Sequence, residues 1–293
     1  MGGIGDQIFQ ICFGLTLMKK FNSNLFLDTN YYNSKLNYNK FKFYLDLSEI
    51  KPDIKKGEKF YIIKYSKLSY VRFLDFLKKL NLNFIYKYLL NKIFTKRISS
   101  FIYEYKNLSS QEIYKSNSYY YGYWHDFKNV KEFKNIIIKY LNTKYFVSNK
   151  ILNFSKKISD KTVAIHIRGG DFKSVSSHNT LEYQYYNKAI VKIIRHLKSP
   201  KFHIYTNDIS HAKTIIGNIN VKIDIMYIYK YKFSPIEEFC LFSKYKYAII
   251  ANSTFSLMSS YLSDKRVFSY GPLIWMKNKK INQKKKFKKL YFI

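Results

Sequence analysis

From Lys161 onward the sequence alternates between short apolar runs and longer stretches whose apolar residues recur on a helical period. TVAIHI (162–167), KFHIYT (201–206), VKIDIMYI (221–228), YAIIAN (247–252) and RVFSY (266–270) read as strands. LEYQYYNKAIVKIIRHLK (181–198), ISHAKTII (209–216), SPIEEFCLFSK (234–244) and STFSLMSSYLS (253–263) read as the helices between them. Strands that return parallel need a crossover, and a helix is the usual one, so this half of the chain is expected to be a parallel sheet covered on both faces. The fold class that follows is α/β.

Open α/β sheets bind ligands beyond the carboxyl ends of their strands, and the polar residues collect there. TVAIHI runs into Arg168-Gly169-Gly170-Asp171, KFHIYT into Asn207-Asp208, and YAIIAN ends in Asn252 with Ser253 and Thr254 opening a helix. A guanidinium, amides, hydroxyls and a helix N-terminus on one rim suit a diphosphate. Each piece also has a structural explanation. Ser253 and Thr254 are ordinary N-cap residues, Asn207 and Asp208 ordinary turn formers, His166 an ordinary satisfied core histidine, and Asp171 an ion-pair partner for Arg168.

The N-terminal half begins GGIGDQ (2–7), a glycine loop leading into a helix over 7–21, followed by a short strand and turn in NLFLDTNYY (24–32). Between about 60 and 105, stretches such as SYVRFLDFLKKLNLNFIYKYLLNKIF predict amphipathic, basic helices; after YYYGYWHDF (119–127) a lysine-rich helix runs to about 145. With 293 residues, two domains are expected, 1–150 and 151–293.

Lysine and arginine number 52 against 19 acidic residues, a formal charge of +33, which points toward an anionic partner. The excess is nearly all lysine and accompanies 30 tyrosines and 25 phenylalanines, a set that AT-rich codons favour whatever the function, and no nucleic-acid-binding module accompanies it. Cys12 and Cys240 match no metal or redox spacing and read as buried free thiols of a reducing compartment. With no signal region and no uncharged apolar run of spanning length, a cytoplasmic protein is expected. The final segment carries eight lysines between 277 and 289, either a solvated tail or a peripheral contact with anionic lipid at the inner face of the membrane.

Six segments in register resemble one family. GGIGDQIFQ (2–10), GYWHDFK (122–128), HIRGGDF (166–172), YYNKAI (185–190), FHIYTND (202–208) and ANSTFS (251–256) follow the order and spacing of the family 11 glycosyltransferases. These are α-1,2-fucosyltransferases with motifs close to GGLGNQ-x-FQ, GYWQ, H-x-RRGD and SNSSFSWW. The resemblance runs nearly end to end. It implies a GT-B arrangement of two Rossmann-like domains facing a cleft, with the acceptor side in the N-terminal domain and the nucleotide sugar held by the C-terminal one. It also implies inverting, metal-independent transfer of L-fucose from GDP-β-L-fucose, without a cofactor, to a galactoside hydroxyl of a glycan that a lipid carrier can bear. By the same resemblance Arg168 contacts the diphosphate, His166 shapes its loop, and Asn207, Asn252, Ser253 and Thr254 line the donor pocket. Gly3, Gly5 and Gln7 face them.

The chain also departs from the family. One arginine of the doubled pair is Gly169, the asparagine of GGLGNQ is Asp6, the tryptophans after the serine motif are Leu257 and Met258, and the strand that precedes the family's glycine loop is expected to be missing. In the transfer itself Arg168 and the amides of the 253 helix would stabilise the departing diphosphate, with Asp171 or Asp6 as the base. Two alternatives remain at the level of sequence: a transferase of another nucleotide sugar, and an inactive relative that binds membrane or nucleic acid through its charge.

Overall fold

The computed structural model describes residues 2–33, 41–47, 60–63, 85, 88, 100–104, 114–146, 148–173, 180–276, 279–280 and 289–293. The chain separates into two compact units, Met1–Phe133 and Lys134–Ile293.

In the first unit, helix α1 (Ile4–Phe21) carries apolar side chains on nearly every side and is buried along most of its length. That is the pattern of a core helix rather than a surface one. It closes on Asn22, whose left-handed conformation (φ 47°) returns its amide to the Met18 carbonyl, with Lys19 and Lys20 in the last turn where the helix dipole favours cations. The glycine stretch is therefore only partly a loop: Gly3 is the N-cap, and Gly5 and Gln7 already lie within the helix. Strand β1 (Leu25–Asp28) pairs in parallel with β2 (Phe60–Ile63), and β3 (Ser100–Tyr103) with β4 (Ser118–Tyr121). Both ends of the region read as amphipathic helices are thus strands. FYII and SFIY are β-branched and aromatic runs too short for a helix face. Ile85 and Tyr88 are helical, and the rest of that expected pair lies outside the described residues. Phe13 and Leu17 of α1 pack with Ile102 and Trp124, the Phe13 and Trp124 rings stacked at 4.3 Å. Helix α2 (Phe127–Lys144), expected from the lysine-rich stretch, spans the division between the units.

The second unit follows the expected alternation closely. After α3 (Asn149–Ser155) come β5 (Thr162–Ile167), α4 (Tyr183–His196), β6 (Lys201–Thr206), α5 (Ile209–Gly217), β7 (Asp224–Tyr227), α6 (Pro235–Phe242), β8 (Tyr247–Ile249), α7 (Thr254–Leu262) and β9 (Phe268–Gly271). Ser234 and Glu237 form a reciprocal capping box with Pro235 in the first turn, which is how SPIEE starts α6. A small hairpin, β10 (Ile274–Met276) with β11 (Lys279–Lys280), precedes the last strand, β12 (Leu290–Phe292). The six-stranded sheet runs β12-β9-β8-β5-β6-β7, every neighbouring pair parallel. The end of the chain is therefore not all tail, because Leu290, Tyr291 and Phe292 pair with Ser269, Tyr270 and Gly271 and extend the sheet edge. Most of the lysine run before them lies outside the described residues.

All six residues of β5 are buried. Val163, Ile165 and Ile167 belong to a core with Tyr186, Ala189, Ile190 and Ile193 of α4 and Ala212, Ile215 and Ile216 of α5. The connections run from β5 outward through β6 and β7, then return to β8 on its other side and continue to β9. The point between β5 and β8 is thus where the winding reverses, the place at which a parallel sheet leaves an open crevice.

Candidate functional site

At the carboxyl end of β5 the chain turns at Arg168, Gly169 and Gly170 and enters a single 3-10 turn, Gly170–Lys173. The half-buried Arg168 guanidinium lies over the Phe172 ring at 4.8 Å. The two residues after β6 hold this turn. Asn207 accepts from the Gly169 amide at 3.0 Å and donates to the Gly169 carbonyl at 3.2 Å. Asp208 accepts the Gly170 amide at 3.0 Å on one carboxylate oxygen and caps α5 through the His211 amide at 3.0 Å on the other. Asn207 and Asp208 thus do more than form a turn. They fix the direction in which Arg168 leaves the sheet.

The same packing explains the lost arginine. A Cβ on Gly169 would stand 2.8 Å from the Asp208 Cβ and 2.9 Å from the His211 ring, so no side chain fits there without displacing the start of α5. Asp171 lies in the 3-10 turn, and its side chain is outside the described residues.

His166, the penultimate residue of β5, is buried and bonded through Nδ1 to the Ser256 hydroxyl at 2.9 Å. Burial, reinforced by the Arg168 charge, pushes its pKa down to about 3, so the ring is neutral over the working pH range. Its carbonyl accepts from the Tyr186 hydroxyl at 3.2 Å. His166 is a satisfied core histidine that ties β5 to α7 and sits directly under the Arg168 turn. Ser256, which no motif had singled out as functional, is its partner; its signal in the sequence was only its place in ANSTFS.

Across the crevice, Asn252 is buried and donates to the Trp275 carbonyl at 3.0 Å. Ser253 is the N-cap of α7, but its side chain makes no capping bond. The first-turn amides of α7, beginning with the half-buried Thr254, are therefore not closed by the residue that would ordinarily cap them. His166, Arg168, Asn207, Asn252, Ser253 and Thr254 thus gather at the ends of the adjacent strands β6, β5 and β8.

The first unit holds the remaining expected residues. Gln7 is buried and fully engaged: Oε1 accepts from the Tyr44 amide at 2.9 Å, and Nε2 donates to the Lys42 carbonyl at 2.7 Å. It pins the 41–47 segment to the start of α1. Gly3 lies beside the Phe41 ring and Gly5 is buried in the first helical turn. The position that demands glycine is Gly2, whose φ is 87° and whose absent Cβ would overlap the Asp6 side chain. Asp6 accepts from His125 at 3.0 Å.

Beneath the sheet of the second unit runs a buried polar chain that periodicity did not reveal. His203 Nδ1 meets the Tyr245 hydroxyl at 2.6 Å, Tyr245 meets Tyr205 at 3.0 Å, and Arg266, 2% exposed, donates to the Phe242 carbonyl at 2.9 Å. Both cysteines are buried as expected, and burial pushes the Cys240 thiol up to about 12. Among the described residues no three His, Cys, Asp or Glu side chains converge to hold a metal, and no helix is long and apolar enough to cross a membrane.

A six-stranded parallel sheet with a cation, backbone amides and an open helix start at its reversal point is the plan of a nucleotide-binding α/β domain. The chain belongs to glycosyl transferase family 11, whose family model matches residues 2–291, and is a glycosyltransferase. It is similar to the alpha-1,2-colitosyltransferase of Escherichia coli, 25% identical over 96% of this chain and 92% of that protein. Among solved structures it resembles a glycosyl transferase family 9 protein from Veillonella parvula (12% identity, 92% of this chain, 78% of that chain, TM-score 0.44). It also resembles POFUT1 in complex with GDP (15% identity, 42% of this chain, TM-score 0.33), of which the match spans 46%, about half the length.

Proposed function

We propose that the protein transfers L-fucose from GDP-β-L-fucose to a galactoside hydroxyl, with inversion, to form an α-1,2 linkage, without metal or cofactor. The observation that carries this reading is the pairing of Arg168, held over Phe172 and aimed by the Asn207–Asp208 clamp, with the α7 N-terminus that Ser253 leaves uncapped. Charge develops on the diphosphate as the sugar departs, and a fixed guanidinium beside a positive helix end stabilises that charge with little reorganisation. Neutral His166 supports the turn without adding charge. The unit Lys134–Ile293 is then the donor side, with Asn252 and Thr254 lining it, and the unit Met1–Phe133 the acceptor side. The sugar itself is the open variable, since the relative in E. coli is named for colitosyl transfer with an α-1,2 linkage.

Calorimetry with GDP, UDP and CDP, followed by transfer assays from a panel of GDP-sugars to a terminal galactoside in the presence of a chelator, tests the proposal. GDP-selective heat and chelator-resistant transfer of fucose are the expected results. Absence of heat with GDP on folded protein overturns the donor site, and turnover of a different GDP-sugar alone replaces fucose.

A further inference from the structure

One carboxylate of the second unit has no task in its scaffold. Helix α6 returns from the end of β7 to the start of β8, two parallel strands of one sheet, so its first turn lies on the side where the strands end. That turn holds two adjacent glutamates. Glu237 is engaged in the capping box, its Oε2 accepting the Ser234 amide at 2.7 Å and the Ser234 hydroxyl at 2.8 Å. Glu238 is half-buried, and among the described residues its carboxylate has no hydrogen-bond or ion-pair partner.

The helix register fixes where Glu238 stands. It precedes Phe242 by one turn on the same face of α6, and the Phe242 ring packs edge-on against Tyr205 at 5.2 Å and His166 at 6.4 Å. Those two residues are neighbours in register, the penultimate residues of β6 and β5, and their side chains share one face of the sheet. Glu238 is therefore one turn beyond them, toward the rim from which Arg168 and Asn207 emerge. Its charge is felt at the Tyr205 hydroxyl, which burial above all, with Tyr245 and Glu238 adding to it, raises well above the ordinary tyrosine value. The walls of this part of the rim are aromatic and fixed. Phe239 meets Phe255, in the first turn of α7, at 5.5 Å, and the Ser259 hydroxyl donates to the Phe239 carbonyl at 2.7 Å. The half-buried Phe255 ring also lies 5.1 Å from His166. Burial, with Glu237 beside it, raises the Glu238 carboxyl to about 7, as expected of a group that has lost water and gained no donor.

A carboxylate in that state is completed by a ligand that brings two N–H donors side by side. Among the common bases guanine has that edge, N1–H next to the exocyclic 2-amino group. Adenine and cytosine place a ring-nitrogen acceptor beside their single amino group, and uracil flanks its one N–H with carbonyls, so a carboxylate repels part of each. We infer that Glu238 reads the guanine base of the donor, accepting N1–H on one carboxylate oxygen and the 2-amino group on the other, an inference that rests on the donor site proposed above. Arg168 and the α7 N-terminus then hold the diphosphate, and Glu238 decides which nucleoside comes with it. All of these residues belong to the unit Lys134–Ile293.

The test is calorimetry on the full chain with GDP, inosine diphosphate, which lacks the 2-amino group, and xanthosine diphosphate, which carries a carbonyl in its place. Wild-type protein should prefer GDP to inosine diphosphate by about 10-fold and bind xanthosine diphosphate least. In the near-isosteric Glu238→Gln the GDP affinity should fall by about 100-fold, and xanthosine diphosphate should now bind best, because the glutamine amide donates to its 2-carbonyl and accepts its N1–H. A gain of affinity for one nucleotide cannot come from misfolding. Equal losses for all three nucleotides, the mark of a carboxylate on the ribose diol, overturn the inference, as does loss of GDP with no gain of xanthosine diphosphate. If wild-type protein gives no heat with GDP, the donor site itself fails; if it binds GDP and Glu238→Gln keeps the wild-type order of preference, the reading of the base alone fails.

Discussion

The two units are built from the same residue types, yet one shows its architecture in its sequence far more plainly than the other. In Lys134–Ile293 the sheet is continuous, with β5 buried on both faces and every residue of its core strand removed from water. In Met1–Phe133 the described strands form two separate parallel pairs, and α1 supplies the densest buried surface. Strands buried on both faces read as near-continuous apolar runs, which lysine seldom interrupts. The four described strands of the first unit are only four residues long, too short for a period to stand out. The chemistry divides in the same way. The second unit offers fixed positive charge and backbone amides at a sheet reversal, suited to an anion, whereas the first holds the His125–Asp6 pair beside the Tyr123 ring.

The largest effect should come from removing the charge alone. Arg168→Ala is expected to lower transfer by about 1000-fold, roughly 4 kcal/mol of lost stabilisation, with Asn207 and Asp208 still holding the amides of Gly169 and Gly170. Turnover within a few fold of wild type in that variant would erase the functional contrast between the units. Next in size, Ile165→Ala opens a cavity at the centre of the sheet and should cost about 3 kcal/mol in urea titration, whereas Leu17→Ala, in the smaller cluster of the first unit, should cost closer to 2 kcal/mol. The reverse order would show that the first unit, not the sheet, carries the stability.

The smallest effect concerns acid. His166 and His203 are pushed down to about 3 and about 4, chiefly by burial, whereas in the unfolded chain a histidine takes its proton near pH 6.5. Their contribution to stability is complete above that unfolded value and drains away as pH falls toward the folded ones. Glu238, raised to about 7 by burial beside Glu237, acts in the opposite sense, complete near its unfolded value and lost as pH rises to neutrality. Between about pH 4.5 and 6.5, two histidines against one carboxylate leave a net gain of about 1.4 kcal/mol per pH unit on raising the pH. All three groups lie in Lys134–Ile293. Denaturant titrations across that window check the slope, and a flat profile would show that the buried histidines do not govern it.

Much of the second unit was legible beforehand. The strands 162–167 and 201–206 coincide with the apolar runs, and the start of α6 coincides with its capping sequence. The strand readings at 221–228 and 247–252 ran long, because Ile228 enters a 3-10 turn and the chain leaves β8 after Ile249, transitions that depend on tertiary contacts such as the Ile250 amide bonding to the Tyr270 carbonyl. The rim was legible as a set of polar residues at strand ends, but not as a mechanism. That Asn207 clamps Gly169, that Gln7 pins the 41–47 segment, and that Ser253 does not cap its helix are all matters of side-chain direction, on which residue order is silent. Leu290–Phe292 escaped because three apolar residues behind a lysine run do not distinguish an edge strand from a tail.

By itself the order of residues determined the alternation of strand and helix in the second half, and with it a parallel sheet with its polar residues at one end, because burial on both faces favours apolar side chains along each strand. Only the tertiary structure decided which polar groups are spent on holding the scaffold and which stay available. Hydrogen-bond partners lie tens of residues apart, 38 between Gly169 and Asn207 and 119 between Asp6 and His125. No local pattern records a pairing that exists only once the chain has folded back on itself.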